Sequence, residues 1–114
     1  MIARELLKGS LRSIVLKLLA ENGRMYGYEI TQKVEELTAG KIKLTYGALY
    51  PILHKLEVEE AVLTESENFN NRIRIYYKLT PKGTSFAREK IAEMEEFIDV
   101  ITLLLKPNIQ ANYG

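Results

Sequence analysis

The feature that most restricts this chain is a change in the spacing of its apolar residues, from a helical period to strict alternation and back. Leu11, Ile14, Val15, Leu18 and Leu19 recur at i, i+3, i+4, i+7 and i+8, the stripe of an amphipathic helix. Ser10 stands where an N-cap belongs, and Asn22-Gly23 where the helix must stop, because Gly adopts the left-handed conformation freely. A second stripe, Ile30, Val34 and Leu37, follows Tyr26-Gly27-Tyr28-Glu29 and closes at Ala39-Gly40. A third, Leu49, Ile52, Leu53 and Leu56, begins behind Thr45, another N-cap residue, and runs to about Glu60. Ile2, Leu6 and Leu7 predict a further short helix within residues 1–9. Short amphipathic helices with short connections bury their faces against one another, which predicts a tri-helical core.

From Arg72 to Leu79 the period becomes 2, with Ile73, Ile75, Tyr77 and Leu79 on one face and Arg72, Arg74, Tyr76 and Lys78 on the other. Val62 to Glu67 is the predicted partner strand. The connection Asn68-Phe69-Asn70-Asn71 can turn without glycine, since Asn tolerates positive φ. Two strands alone are marginal in water, so the hairpin must pack on the helices. Helix, helix, helix, hairpin is the order of a winged helix-turn-helix. The fold class expected is mainly α with a small β-hairpin, and residues 1–80 form the winged unit.

Thr80-Pro81 then reads as an N-cap followed by proline at the first helical position. Pro107 ends the helix at about Lys106. Some 25 residues at 1.5 Å each give a rod of about 37 Å, longer than so small a core can cover. Ala87, Ile91, Met94, Ile98, Ile101 and Leu105 are spaced 4, 3, 4, 3, 4, a heptad seam that Phe86, Phe97 and Leu104 widen. Such a stripe either lies lengthwise on its own domain or meets a second copy. Its length and width favour the second, making residues 81–106 a C-terminal dimerisation helix. Residues 107–114 are short and polar, and are expected to fray.

Composition excludes several kinds of chemistry. Without cysteine there is no disulfide, no thiolate metal site and no cysteine nucleophile. His54 is the only histidine, so a metal site of several imidazoles is ruled out, and neither a Gly-rich phosphate loop nor a Ser/His arrangement appears. Neither an enzyme nor a cofactor is expected. No apolar run nears the ~18–20 residues of a membrane span, and the start MIARELLKGS lacks a signal-peptide core, which predicts a cytoplasmic protein without membrane contact. The net charge of +1 hides a pattern: residues 41–55 and 68–78 are basic and free of acids, while Glu57, Glu59, Glu60, Glu65 and Glu67 crowd between them.

Three segments carry a resemblance. Tyr46-Gly47-Ala48-Leu49-Tyr50-Pro51-Ile52-Leu53-His54-Lys55-Leu56-Glu57 resembles the recognition-helix signature of the PadR family of transcriptional regulators. Ile75-Tyr76-Tyr77-Lys78-Leu79-Thr80-Pro81-Lys82-Gly83 resembles the end of that family's wing, and Met25-Tyr26-Gly27-Tyr28-Glu29-Ile30 is a third match. The single C-terminal helix resembles the short subclass, whose dimers form through this helix and the N-terminal one. The resemblance implies a homodimeric repressor on a palindromic double-stranded DNA operator, often released by a small phenolic or drug-like effector. The rival reading is a winged-helix protein-interaction module that dimerises without binding DNA. The near-neutral charge favours that rival, and the two acid-free stretches argue against it.

A recognition helix presents its outward residues to the major groove. With Leu49, Ile52, Leu53 and Leu56 inward, the outward set is Tyr46, Gly47, Tyr50, Pro51, His54 and Lys55. Lys43, Lys41 and Thr45 suit phosphate contact, and the wing should offer Asn70, Asn71, Arg72 and Arg74. Tyr50 can donate to a phosphate or pack on a thymine methyl or a sugar. Gly47 and Pro51, poor helix formers, are either a helix-start irregularity or functional. Tyr28 is a core aromatic or a phosphate contact. His54 is a buried histidine, a phosphate contact or a pH-dependent group. Glu29 is a dipole partner in the first turn of its helix. Two departures from the family stand out. Glu60-Ala61 replaces the Gly that often follows the recognition helix, and Ala in a left-handed position there would cost about 1 kcal/mol. The chain also has no Trp, which multidrug-sensing members use to sandwich flat ligands, and Phe97 is the nearest substitute. Met94, Phe97 and Ile98 would line an effector cavity at the seam or else pack as ordinary interface.

Overall fold

The computed structural model describes residues 2–107. Five helices and three strands follow in the order α1 (Arg4–Lys8), α2 (Leu11–Asn22), β1 (Arg24–Tyr26), α3 (Gly27–Leu37), α4 (Tyr46–Val58), β2 (Val62–Phe69), β3 (Arg72–Leu79) and α5 (Pro81–Leu105). The antiparallel sheet has the order β1-β3-β2. This is a winged helix-turn-helix with a long C-terminal helix. The expected tail, residues 107–114, lies outside the described residues apart from Pro107.

The three expected stripes meet as the core: Val15, Leu18 and Leu19 of α2, Ile30 and Val34 of α3, and Leu49, Leu53 and Leu56 of α4 are buried together. Leu16, outside the expected stripe, is also fully buried, because α2 is covered on a second side by α5. Leu37 departs from its stripe and is exposed, for α3 ends there and Thr38 turns the chain away. Ser10 does not cap α2. Its hydroxyl instead donates to the Leu7 carbonyl at 2.9 Å and closes α1.

Besides a shorter turn, because Asn68 and Phe69 belong to β2, the wing differs from the expected hairpin in two respects. The first is β1, a three-residue strand that pairs Arg24, Met25 and Tyr26 with Lys78, Tyr77 and Tyr76. The second is its overhang. Tyr77 and Leu79 pack on the core, whereas Ile75 is exposed and Ile73 is 73% exposed, because the hairpin runs past the end of the helical layer. At its tip Asn70 and Asn71 have φ of 47° and 62°, a two-residue turn between the paired Phe69 and Arg72.

A tight corner, beside the packing of α5 on α2, joins head and arm. Helix α4 ends in a Schellman arrangement, with the Ala61 amide donating to the Leu56 carbonyl at 2.8 Å and the Glu60 amide to Glu57 at 2.9 Å. Glu60, with φ of 62°, is therefore the left-handed residue; Ala61 is not, so the strain expected at Ala61 falls on Glu60 instead. Thr80 then ties the corner: its amide donates to Ala61 at 3.0 Å, its hydroxyl donates to Glu60 at 2.7 Å and accepts from the Gly83 amide at 2.9 Å. Gly83 is buried directly on the Ala61 carbonyl, and a Cβ there would overlap backbone atoms of Ala61. Gly83→Ala should therefore lower the unfolding free energy by about 3 kcal/mol in urea titration. Glu60→Gly should leave it unchanged or raise it by up to ~1 kcal/mol, since a left-handed position favours glycine. A tolerated G83A would contradict the close approach, and a destabilised E60G the left-handed cap.

Candidate nucleic-acid interface

Helix α4 owes its orientation to Leu49, Leu53 and Leu56, all fully buried, with Ala48 and Ile52 packed at the edge of the core. The opposite face is the expected set, and Tyr46, Gly47, Tyr50, Pro51, His54 and Lys55 are all exposed. Thr45 starts the helix by accepting the Ala48 amide on its hydroxyl at 3.2 Å. Pro51, inside the helix, has no N–H to offer the carbonyl of Gly47 four residues earlier. A Cβ on Gly47 would meet nothing closer than the Thr45 hydroxyl at 3.9 Å, so the fold itself does not demand glycine there. Together the two residues leave the backbone of the first turns bare on the exposed face. His54 is exposed, which removes the buried role among its three.

Four tyrosines link this face to the wing. The rings of Tyr46 and Tyr50 lie 5.7 Å apart. The Tyr50 hydroxyl packs on Gly27 at the start of α3, so closely that a Cβ on Gly27 would stand 2.5 Å from it. On either side of Gly27, Tyr26 and Tyr28 stack at 6.2 Å, and Tyr28 is half exposed, which excludes the core reading. Glu29 anchors this turn by accepting the Tyr26 amide at 3.1 Å. Tyr77 lies close by, and burial first, with Tyr50 and Glu57 beyond it, pushes its phenol above the ordinary value.

The band continues across the outer face of the sheet. The Arg74 guanidinium sits 4.5 Å over the Tyr26 ring and 3.8 Å over Phe69, next to the wing tip. Arg74 is thus half-buried between two aromatics, while Arg72, Asn70 and Asn71 are exposed. Lys43 is exposed too, although 3.8 Å from the Glu35 carboxylate of α3. The acids between the basic stretches are largely taken up: Arg12 pairs with Glu59, and Arg24 with both Glu65 and Glu67. Hydrogen bonds to Glu67 and then Glu65 hold the Arg24 pKa above its ordinary value. Among the described residues, Lys41, Lys55, Arg72 and Arg74 enter no ion pair. Tyr26, Gly27 and Phe69 are not among the contact residues expected from sequence, because Tyr26 and Phe69 meet Arg74 only through the pairing of β3 with both β1 and β2, and Gly27 follows Tyr26.

Residues 15–89 match the model of the transcriptional regulator PadR-like family. The chain belongs to that family. The transcriptional regulator Rv3488 of Mycobacterium tuberculosis is 31% identical over 93 residues, covering 82% of this chain and 83% of its own. A transcriptional regulator from Clostridium thermocellum has a TM-score of 0.80 at 28% identity over 90% of this chain and 99% of that one. A PadR family transcriptional regulator from Eggerthella lenta has a TM-score of 0.72 at 31% identity over 91% and 85%.

In this PadR-like chain α5 divides into two halves. The first packs on α2: Ser13 reaches the Lys90 carbonyl at 3.5 Å, and the Arg12 guanidinium lies 4.6 Å over Phe86. Ala87, at 2% exposure, belongs to the core of the chain and Ile91 packs against it, so neither is free for the expected seam. Beyond them Met94 and Ile101 are half-buried, and Phe97, Ile98, Leu104 and Leu105 are exposed, as are Val100 and Leu103, which the heptad reading missed. The radius of gyration, 17.0 Å, exceeds the ~13 Å of a compact domain of about 100 residues, as a projecting arm requires. No helix among the described residues is long and apolar enough to cross a membrane.

Gly27→Ala tests the link between α3 and α4. The atom it displaces is the free end of the Tyr50 side chain, so unfolding should change by less than about 1 kcal/mol. The Tyr50 ring resonances should nevertheless shift in NMR spectra. Unchanged Tyr50 resonances would contradict the contact.

Proposed function

We propose that this protein is a sequence-specific DNA-binding transcriptional repressor that acts as a homodimer on a palindromic operator. Residues 1–80 serve as the DNA-binding unit and residues 81–106 as the dimerisation arm. The observation that carries this reading is the unbroken band from Tyr46 and Tyr50 through Gly27, Tyr28 and Tyr26 to Arg74, Phe69 and the wing tip. It joins a helix end suited to the major groove to a cationic hairpin suited to the neighbouring backbone or minor groove. The bare backbone at Gly47 lets α4 enter a groove closely. Lys43, Thr45, Lys55, Arg72 and Arg74 supply phosphate contacts, which position the protein without reading sequence.

Dimerisation is supported by the outer half of α5, where Phe97, Ile98, Leu104 and Leu105 face water in a single copy. The exposed Ile2 and Leu6 offer a further apolar surface at the N-terminus. A two-fold dimer would engage half-sites one helical turn, about 34 Å, apart or at a multiple of it. No observation on the single chain favours a small hydrophobic or aromatic effector at Met94, Phe97 and Ile98, and repression needs none.

The test uses the highest-affinity duplex selected from a random library, with fluorescence anisotropy across a salt series. Arg72→Ala should weaken operator and scrambled duplex alike and flatten the log K against log salt slope by about 0.9. Tyr50→Ala should instead alter the ranking of selected sequences. Equal, sequence-blind losses from both would contradict the division of labour between helix and wing. Ile98→Glu with Leu104→Glu should give monomers in sedimentation velocity at micromolar concentration with helical content retained. An intact dimer would contradict the seam.

A further inference from the structure

We propose that Arg24, on β1, is a positioning residue that keeps Arg74 free for the DNA backbone by holding the wing carboxylates away from it. This rests on the DNA-binding reading above. The register sets Glu67 directly opposite Arg74 and Glu65 directly opposite Tyr76. Opposed side chains share one face of the sheet with Cβ atoms about 4.5–5.5 Å apart, near enough for a cross-strand ion pair. A hairpin left to itself would close an Arg74–Glu67 pair, and the wing would present no net charge at that rung.

The third strand changes this outcome. Arg24 pairs with Lys78 and therefore projects on the face that carries Tyr76 and Arg74. Its guanidinium lies 4.0 Å over the Tyr76 ring, which fixes the planar fork. One nitrogen, Nη1, donates to Glu65 Oε1 at 3.1 Å, and the other, Nη2, donates to Glu67 Oε2. Both carboxylates are thereby turned toward the β1 edge. Arg74 is held by π faces alone, on Phe69 and Tyr26, and has no carboxylate partner among the described residues. Aromatic faces orient a guanidinium without neutralising it, so its charge stays available to a phosphate. The sheet carries Arg24, Arg72, Arg74 and Lys78 against Glu65 and Glu67, and the pairing on Arg24 decides where that basic excess is exposed.

The experiment is a double-mutant comparison on the selected duplex, read by anisotropy across salt. Arg24→Gln should weaken binding roughly fivefold and flatten the salt slope by about 0.9, the signature of one lost phosphate contact. In a Glu65→Gln/Glu67→Gln background the same substitution should have less than about a twofold effect, because no carboxylate remains to capture Arg74. Arg24→Lys, which keeps the charge but not the fork, should fall between wild type and Arg24→Gln. Circular dichroism melts of every variant should stay close to wild type. An equal loss in both backgrounds would show that Arg24 itself touches DNA, and no loss in either would show that the clamp is idle; each overturns the proposal. If the wild-type protein selects no duplex and Arg72→Ala has no effect, the DNA-binding reading fails, not the clamp alone.

Discussion

The contact of Gly83 with the Ala61 carbonyl constrains everything else in this molecule. The recognition helix ends there, the wing begins there, and the arm begins there. With Thr80 bonding to Glu60, Ala61 and Gly83 together, no flexible linker separates the winged head from α5. In the proposed dimer the position of one α4 relative to the other would be set by how the two arms pack, because this joint fixes each head on its own arm.

A second consequence concerns charge. The protein carries a net charge of +1, which gives no long-range attraction to nucleic acid. Its acids are nonetheless disposed of locally, with Glu59 on Arg12 and Glu65 and Glu67 on Arg24. Exposed ion pairs of this kind contribute little to stability, each about 0–1 kcal/mol. Their value is in where they leave the unpaired cations. The surface proposed above for DNA is accordingly a short-range one, built of tyrosines and of Arg74 stacked on Tyr26 and Phe69.

Much of the fold was legible because periodicity is a direct record of burial. The stripes of α2, α3 and α4 named most of the core, and the alternation of Arg72–Leu79 named the wing. The outward face of α4 followed from its inward one. Failures occurred where a residue's role depends on a distant neighbour. Three residues cannot display a period, so β1 exists only because β3 offers it an edge, and Tyr26, Arg24 and Gly27 owe their roles to that pairing. Ile73 and Ile75 alternate correctly yet find no core beneath them. Ala87 and Ile91 fit a heptad as well as Ile98 and Leu105 do, but α2 claims them first. Spacing fixes a face and does not say which partner covers it.

Hydroxyl-radical footprinting on a selected operator tests the central claim most directly, since it reports where two joined heads lie on one duplex. Two protected tracts related by a dyad, their centres about 34 Å or a multiple apart, with flanking backbone protection from the wings, is the predicted pattern. Uniform protection along any duplex, or a single tract without symmetry, would contradict it.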